Sequence, residues 1–199
     1  MREYVLHAAD LAGIDFLGDS VCGIDEAGRG PLAGPVCAAS VILPPDFPFE
    51  VLDDSKALSA ARREGAYDLI VARAMDWAVA WATCAEIGQL NILRASLLAM
   101  RRSFLALSAR SGLVLVDGNV LPELPAKTLA VIGGDALVPA IMAASILAKV
   151  ARDRLMDRLD RIEPVYGFAT NRGYPTAAHR AAIKKAGPSL WARPGFKIT

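Results

Sequence analysis

Residues 21–36 read VCGIDEAGRGPLAGPV, and their composition makes this stretch the expected functional centre of the chain. The apolar run at its start, residues 21–24, has the composition of a buried strand and carries two adjacent carboxylates, Asp25 and Glu26, at its carboxyl end. Glycine leaves a backbone open to close approach by another molecule, and three glycines follow: Gly28, Gly30 and Gly34. The stretch therefore predicts a strand that brings carboxylates to a loop able to contact a ligand.

The segment behind the glycines also has the composition of a strand. Residues 36–43 read VCAASVIL, are rich in small and β-branched side chains, and end before Pro44 and Pro45. The glycine loop is therefore predicted to join two strands rather than a strand and a helix.

Residues 28–33, GRGPLA, satisfy the short dinucleotide-binding pattern GxGxxG/A. That pattern requires a helix N-terminus behind the glycines, whereas a strand is predicted here. No Gly-Lys-Ser/Thr closes a phosphate loop either. A nucleotide-binding enzyme stays as an alternative hypothesis.

The composition is that of one globular domain. The chain has 199 residues, is 54% hydrophobic, and carries a formal net charge of +1, so any surface for nucleic acid must be a local patch. Its three cysteines are far apart and form no CxxC pair, which favours reduced thiols over a zinc site: Cys22, Cys37 and Cys84.

The sequence gives no sign of secretion or of a membrane span. Charges are scattered through the first twenty residues, which predicts a cytoplasmic protein. Residues 129–148 are nearly all apolar, but they contain Asp135 and Pro139. A central aspartate costs about 2.5 to 3.5 kcal/mol on insertion, so a strand followed by a buried helix is expected instead.

Hydrophobic periodicity predicts an α/β fold with a mixed sheet. Ser59 is expected to cap a helix, and Pro139 is expected to open another that reaches about residue 161. Further strands are predicted at residues 77–84, 113–116 and 128–132, further helices at 87–107 and 175–186, and an irregular tail after that.

Four acidic residues occupy positions from which their carboxylates can meet. Two follow the first strand, Asp117 ends a later one, and Asp153 lies on the predicted helix, where Ser145, Lys149 and Asp153 are four apart and share one face. The four acids are Asp25, Glu26, Asp117 and Asp153.

Each of these acids also has an ordinary structural explanation. Asp117 before a glycine is common in turns, Asp153 can pair with a neighbouring base, and Asp25 can cap the loop. Together, carboxylates that converge from separate elements repel one another unless divalent cations neutralise them. Oxygen ligands alone favour Mg²⁺ or Mn²⁺ over zinc, and such a site suits phosphoryl transfer.

Five segments of the chain, taken in order, closely resemble ribonuclease HII, the type 2 ribonuclease H. Several long motifs in the right order are far more specific than any one of them. The segments are DEAGRGPLAGPV at 25–36, DSK at 54–56, VDG at 116–118, AASILAKVARD at 143–153 and YGFATNRGYPTAAH at 166–179.

The resemblance implies a ribonuclease H-like fold with a mixed central sheet flanked by helices. Residues 1–199 would form one catalytic domain, with a small helical C-terminal segment, about 164–199, beside the active-site groove. The implied activity is endonucleolytic hydrolysis of the RNA strand of RNA–DNA hybrids and incision 5′ of single ribonucleotides in duplex DNA. The family's two-metal-ion mechanism uses Mn²⁺ or Mg²⁺, leaves 3′-hydroxyl and 5′-phosphate ends, and initiates ribonucleotide removal.

The resemblance also assigns roles to residues. Asp25, Glu26, Asp117 and Asp153 match the family's metal-binding and catalytic carboxylates. The loop residues Gly28, Arg29 and Gly30 match the GRG motif that contacts 2′-hydroxyls, and Tyr174 matches the aromatic residue that packs on the adjoining sugar. Chemistry agrees, because the 2′-hydroxyl alone distinguishes ribose from deoxyribose at a given site.

Other residues are less specific. Lys56 and Lys149 suit phosphate contacts but also suit a solvated surface. His179 is expected to be structural, since metal ions can activate water without a histidine. The chain departs from the family pattern at SLWARPGF, residues 189–196, where a more basic stretch is usual, and at Arg172, where lysine is usual.

Three functions are therefore distinguished: a metal-dependent ribonuclease, which the resemblance favours; a nucleotide-binding enzyme; and a catalytically silent nucleic-acid-binding module. For the first, the expected partners are RNA–DNA hybrids and ribonucleotide-containing duplex DNA. No membrane is expected, and the protein is predicted to be a cytoplasmic monomer.

Overall fold

The computed structural model describes residues 5–11, 21–52, 59–109 and 111–197. Within these ranges the strands are β1 Val5–Leu6, β2 Val21–Ala27, β3 Val36–Ile42, β4 Asp76–Ala82, β5 Leu113–Asp117 and β6 Thr128–Val131. They form one mixed sheet in the order β1-β6-β5-β2-β3-β4. β2 pairs with β5 in parallel and with β3 antiparallel, so the glycine loop joins two strands of one hairpin, as predicted.

Helices cover the sheet. In the described ranges they are α1 Ala60–Arg73, α2 Cys84–Leu90, α3 Ile92–Leu105, α4 Pro139–Ile162, α5 Phe168–Asn171 and α6 Ala177–Ala186. Single 3₁₀ turns lie at Ala8–Leu11, Phe49–Val51, Gly134–Ala136 and Pro164–Tyr166. The predicted α/β class with a mixed central sheet is confirmed.

Strand β3 is buried on both faces, which explains its small and β-branched composition. Alternate side chains point to opposite faces of a strand. Cys37, Ala39 and Val41 pack in the cluster that contains α4 residues, whereas Val36 and Ala38 pack in the cluster that contains α3 residues. The sheet is therefore the middle layer of three.

Helix α4 crosses β2 at very short range. A Cβ atom at Gly23 would lie 2.1 Å from the carbonyl carbon of Ala140, so only glycine permits this approach. Pro139 begins the helix, as predicted, because its missing N–H is not needed in the first turn. The crossing brings the next turns of α4 over the carboxyl half of β2.

The single helix predicted over residues 87–107 is wrong, because the structure has two helices there. Asn91 has a φ of 72°, a left-handed conformation that asparagine tolerates, and it ends α2. Its side chain then accepts a hydrogen bond from the backbone N–H of Arg94 at 3.1 Å and so caps α3. The capping box of Thr83 and Glu86 begins α2, which also corrects the predicted end of the strand at residue 84.

The apolar window at residues 129–148 divides as predicted into the end of β6, a 3₁₀ turn and the start of α4. Among the helices that the structure describes, none has both the length and the apolar composition of a transmembrane segment.

Candidate active site

A cleft lies at the carboxyl ends of β2 and β5. The parallel register pairs Ile24 with Val116, so the next residues, Asp25 and Asp117, are neighbours on adjacent strands. The cleft has a volume of about 280 Å³. It is lined by Asp25, Glu26, Ala27, Gly28, Arg29, Gly30, Asp117, Asp135, Ser145, Lys149, Arg152 and Tyr174.

Asp25 is the most deeply buried acid of the cleft, with 5% of its surface exposed. Its Oδ1 accepts a hydrogen bond from the backbone N–H of Glu26 at 2.6 Å, and the Ser145 hydroxyl on α4 donates a second bond. Burial above all, and then the charges of Glu26 and Asp117, raise the pKa of Asp25 well above its usual value. Burial and the two neighbouring carboxylates therefore disfavour the charged form of Asp25.

Glu26 is in a similar position but has a cation beside it. Arg29 Nη1 lies 3.3 Å from Glu26 Oε1, while the arginine side chain stays half exposed. Burial raises the pKa of Glu26, the Arg29 charge lowers it, and Asp117 raises it again. The balance is upward, so a second carboxyl of the cleft holds its negative charge at a cost.

Asp117 completes the group from the neighbouring strand. It ends β5, and its Oδ1 accepts a hydrogen bond from the backbone N–H of Asp135 at 3.3 Å. Its charge acts on both Asp25 and Glu26. Three of the four predicted acids are therefore brought together in one cleft.

Asp153 is one helical turn beyond the cleft-lining residue Lys149 and does not itself line the cleft. Lys149 Nζ lies 2.7 Å from Asp153 Oδ1, and Arg172 Nε lies 3.9 Å from the same oxygen. The shared face of α4 predicted for Ser145, Lys149 and Asp153 is thus present, but the fourth carboxylate faces cations of the chain itself.

The donor set suits a hard divalent cation. Asp25, Glu26 and Asp117 supply only oxygen ligands. Burial first, and then the charge of Asp117, disfavour the charged forms of Asp25 and Glu26 and raise their pKa values. Among the described residues, no group of three or more Asp, Glu, His or Cys side chains is arranged closely enough to hold a metal ion without adjustment. The three carboxylates share one cleft without forming a complete set of metal ligands, and a cation bound among them would relieve their repulsion.

The glycine loop forms one wall of the cleft. Gly28 has a φ of 98°, and a Cβ atom there would lie 2.0 Å from Arg152 Nε. A Cβ atom at Gly30 would lie 3.3 Å from Tyr174 Cε1. Gly30 and Tyr174 therefore adjoin in the lining of the cleft, although 144 residues separate them in the sequence.

The backbone of Tyr174 is held firmly while its side chain is 42% exposed. Its N–H donates to the carbonyl of Asn171 at 2.8 Å, and its carbonyl accepts from Thr176 N–H at 2.8 Å. Nδ1 of the buried His179 lies 2.9 Å from the same carbonyl. A carbonyl only accepts, so this nitrogen carries the proton, and His179 supports Tyr174 from behind.

Two arginines near the cleft were missed by the sequence reasoning. Arg152 was detectable, because it lies seven residues after Ser145 and so falls on the same helical face as Lys149. Arg193 gave no signal, because it comes from the tail that was predicted to be irregular. Lys56 lies outside the described residues.

The nucleotide-binding alternative does not fit this geometry. The residues behind the GRGPLA segment form strand β3, where the dinucleotide-binding pattern requires the N-terminus of a helix. A pyrophosphate there would also meet the carboxylates of Asp25 and Glu26. That hypothesis is set aside.

The sequence is similar to known ribonucleases along most of its length. The family model described as Ribonuclease HII matches residues 22–198. A Ribonuclease HII of Burkholderia vietnamiensis is 56% identical over 189 residues, which cover 94% of this chain and 88% of the relative.

Solved structures share the fold at lower identity. Ribonuclease H2 of Pyrococcus horikoshii OT3 superposes with a TM-score of 0.73 at 24% identity, over 89% of this chain and 94% of that one. Bst-RNase HIII, solved in complex with Mn²⁺, gives a TM-score of 0.72 at 16% identity, over 87% of this chain and 64% of that one. The chain belongs to the ribonuclease HII family, and it is therefore a hydrolase, a metal-dependent endoribonuclease that acts on the RNA of RNA–DNA hybrids.

Proposed function

We propose that this endoribonuclease, besides acting on the RNA of RNA–DNA hybrids, incises duplex DNA on the 5′ side of single embedded ribonucleotides, which initiates their removal. The observation that carries the proposal is the shared cleft: the Gly28–Gly30 loop and Tyr174 line the same cavity as Asp25, Glu26 and Asp117. Residues that can contact a sugar thus lie beside carboxylates that can bind the metal ions for phosphodiester hydrolysis.

Ribose recognition falls to the glycine loop in this proposal. Without side chains, Gly28 and Gly30 let the backbone approach the 2′-hydroxyl, the group that distinguishes RNA from DNA. Tyr174, beside Gly30, would pack on the adjoining sugar and fix the position of the scissile phosphate. Its ring is exposed, whereas its backbone is held by Asn171 and His179.

The proposed metal ligands are Asp25, Glu26 and Asp117, with Asp153 as the fourth. Two divalent cations, Mn²⁺ or Mg²⁺, would supply a nucleophilic water at neutral pH and stabilise the charge on the leaving oxygen, giving 3′-hydroxyl and 5′-phosphate ends. The protein's part is to gather the carboxylates on β2 and β5 and to orient Asp25 through the Ser145 hydroxyl.

Phosphate contacts are assigned to basic residues at the cleft. Arg29 is half exposed beside Glu26, and Lys149 lines the cavity beside Asp153. Either side chain can exchange its carboxylate partner for a phosphate when a substrate arrives. Lys56 keeps the same assignment from the sequence motif alone.

The whole chain contributes to the proposed activity. Residues 1–199 act as one catalytic domain, with the segment 164–199 beside the cleft, and the protein acts as a cytoplasmic monomer. The position of Tyr174 at the cleft supports the role of that segment.

Incubation of the purified protein with a long RNA–DNA hybrid tests the function. With Mn²⁺ or Mg²⁺ the parent should cleave the RNA strand internally, and a chelator or Asp117→Asn should stop cleavage. Hybrid binding without cleavage under every metal would instead indicate a silent binding module. Cleavage that continues in the chelator would contradict the metal-dependent mechanism.

A further inference from the structure

The C-terminal tail is tied to the glycine loop rather than free beside it. Ala192 forms an isolated antiparallel bridge with Ala33. Gly34 N–H donates to the carbonyl of Trp191 at 2.9 Å, and Arg193 N–H donates to the carbonyl of Leu32 at 2.9 Å. The tail, which was predicted to be irregular, thus pairs through its backbone with residues 32–34. This pairing places Arg193 behind the glycine loop.

The Arg193 guanidinium bonds to backbone carbonyls of the loop and its flank. Nη2 donates to Gly28 O at 2.5 Å and to Pro35 O at 3.3 Å, Nη1 donates to Arg29 O at 3.0 Å, and Nε donates to Gly34 O at 2.7 Å. The residue is 4% exposed. A planar guanidinium can satisfy several carbonyls at once, which a lysine ammonium cannot do with the same geometry.

Burial of this charge is expensive, which argues against an accidental contact. Desolvation above all, and then the positive charge of Arg152, lower the pKa of Arg193 to about 10. Arg152 itself is 1% exposed and donates to the carbonyls of Ala33, Pro35 and Arg172. Two guanidinium groups are therefore buried side by side, and both are compensated by carbonyls around the loop.

The hydrogen bonds from Arg193 to the loop carbonyls also fix the direction of the loop N–H groups. The peptide bonds of the loop are trans, and in a trans peptide the carbonyl and the next N–H point in opposite directions. Because Arg193 binds the carbonyls of Gly28 and Arg29, the N–H groups of Arg29 and Gly30 point away from the tail. Arg193 lines a second cavity behind the loop, together with Leu32 and others, and not the carboxylate cleft.

We propose that Arg193 is a positioning residue for ribose recognition, which holds the Gly28 and Arg29 carbonyls from behind so that the loop amides face the 2′-hydroxyl. The inference rests on the proposed function. The tail would then act in sugar sensing without touching the nucleic acid, even though it lacks the usual basic stretch.

The test compares Arg193→Lys and Arg193→Gln with the parent and with Ile183→Ala. Ile183 is buried and lines the same second cavity, and its aliphatic side chain has no donor for the loop carbonyls, so its truncation controls for lost stability. Three quantities are measured: kcat and KM on a duplex with one ribonucleotide, the Kd for the all-DNA duplex of the same sequence, and the melting temperature.

Both Arg193 variants should lose about 100-fold in kcat, because a misplacement of about 1 Å can cost that much. Their KM and their Kd for the all-DNA duplex should stay within about threefold of the parent, and Ile183→Ala should keep the parental kcat below its melting temperature.

Parental kcat in both Arg193 variants would overturn the inference. So would a loss that Ile183→Ala shares, since only stability would then be involved, or an equal loss of all-DNA binding, since the tail would then contact DNA directly. These results leave the proposed function intact as long as the parent cleaves. A parent that does not cleave the ribonucleotide duplex overturns both.

Discussion

Lys149 Nζ lies 2.7 Å from Asp153 Oδ1, so the fourth carboxylate of the proposed metal set is paired with a lysine that also lines the cleft. The two residues are one turn apart on α4 and partly exposed. Such a pair contributes only about 0.3 to 0.5 kcal/mol to stability. In the proposed function, a cation would compete with Lys149 for Asp153, and a phosphate would compete with Asp153 for Lys149.

Lys149→Ala should therefore separate two effects. Asp153 then loses its nearer cationic partner and keeps Arg172 at 3.9 Å, which should lower the Mn²⁺ concentration needed for half-maximal activity. The loss of a phosphate contact should raise KM and reduce the slope of log Kd against log salt by about one. Metal titrations and binding at several salt concentrations measure these effects. An unchanged salt slope would show that Lys149 does not contact phosphate.

Asp25→Asn should remove turnover but stabilise the metal-free protein at neutral pH. The folded-state pKa of Asp25 is raised, chiefly by burial. A raised carboxyl pKa contributes stability that is fully present below the ordinary value of about 3.9 and is lost as the pH rises through the folded-state pKa.

Melting curves in a chelator check this sign. The variant should melt above the parent at pH 7, and the difference should shrink as the pH falls toward 4. A variant that melts below the parent at every pH would show that the buried charge is compensated in a way that the carboxylate contacts do not reveal.

Much of this site was predictable from the sequence, and the reasons are local. The apolar residues before Asp25 and Asp117 predict the two strands that carry these acids. The helix face is predicted by the four-residue spacing of Ser145, Lys149 and Asp153. The break at Asn91 was missed because an apolar stripe continues across it, and only the left-handed backbone and its cap reveal it.

The role of the tail was missed for a different reason. Arg193 bonds to carbonyls about 160 residues earlier in the chain, and a backbone carbonyl has no sequence signature. Likewise, no pattern announces that Tyr174 adjoins Gly30, which only the tertiary fold brings about. The family motifs marked Gly30 and Tyr174 without giving their contacts.

Tyr174→Ala should lower kcat on a single-ribonucleotide duplex by about 100-fold, with a smaller effect on binding, because the ring would position the scissile phosphate. Tyr174→Phe should recover much of the loss. Tyr67→Ala is the matched control, since the Tyr67 ring packs under Arg154 away from the cleft. If Tyr174→Ala cleaves like the parent, Tyr174 is a packing residue.

Gly28→Ala should damage the loop itself. Its φ of 98° disfavours alanine, and the new Cβ would meet Arg152 Nε at 2.0 Å, so we expect a loss of about 1 to 3 kcal/mol in stability and a weaker preference for ribose. Gly187→Ala, with a φ of 82° and open space around its Cβ, controls for the backbone strain alone. Equal behaviour of the two variants in melting and cleavage would contradict a close approach at Gly28.

The central claim is that one cleft both senses a ribose and cuts beside it. Its most direct test uses two DNA duplexes of identical sequence that differ by one 2′-hydroxyl, incubated with the parent protein and Mn²⁺ and resolved by fragment mass. We predict that only the ribonucleotide duplex is cut, once, on the 5′ side of the ribonucleotide, leaving 3′-hydroxyl and 5′-phosphate ends. Equal cutting of both duplexes, or cutting at other positions, would contradict the account.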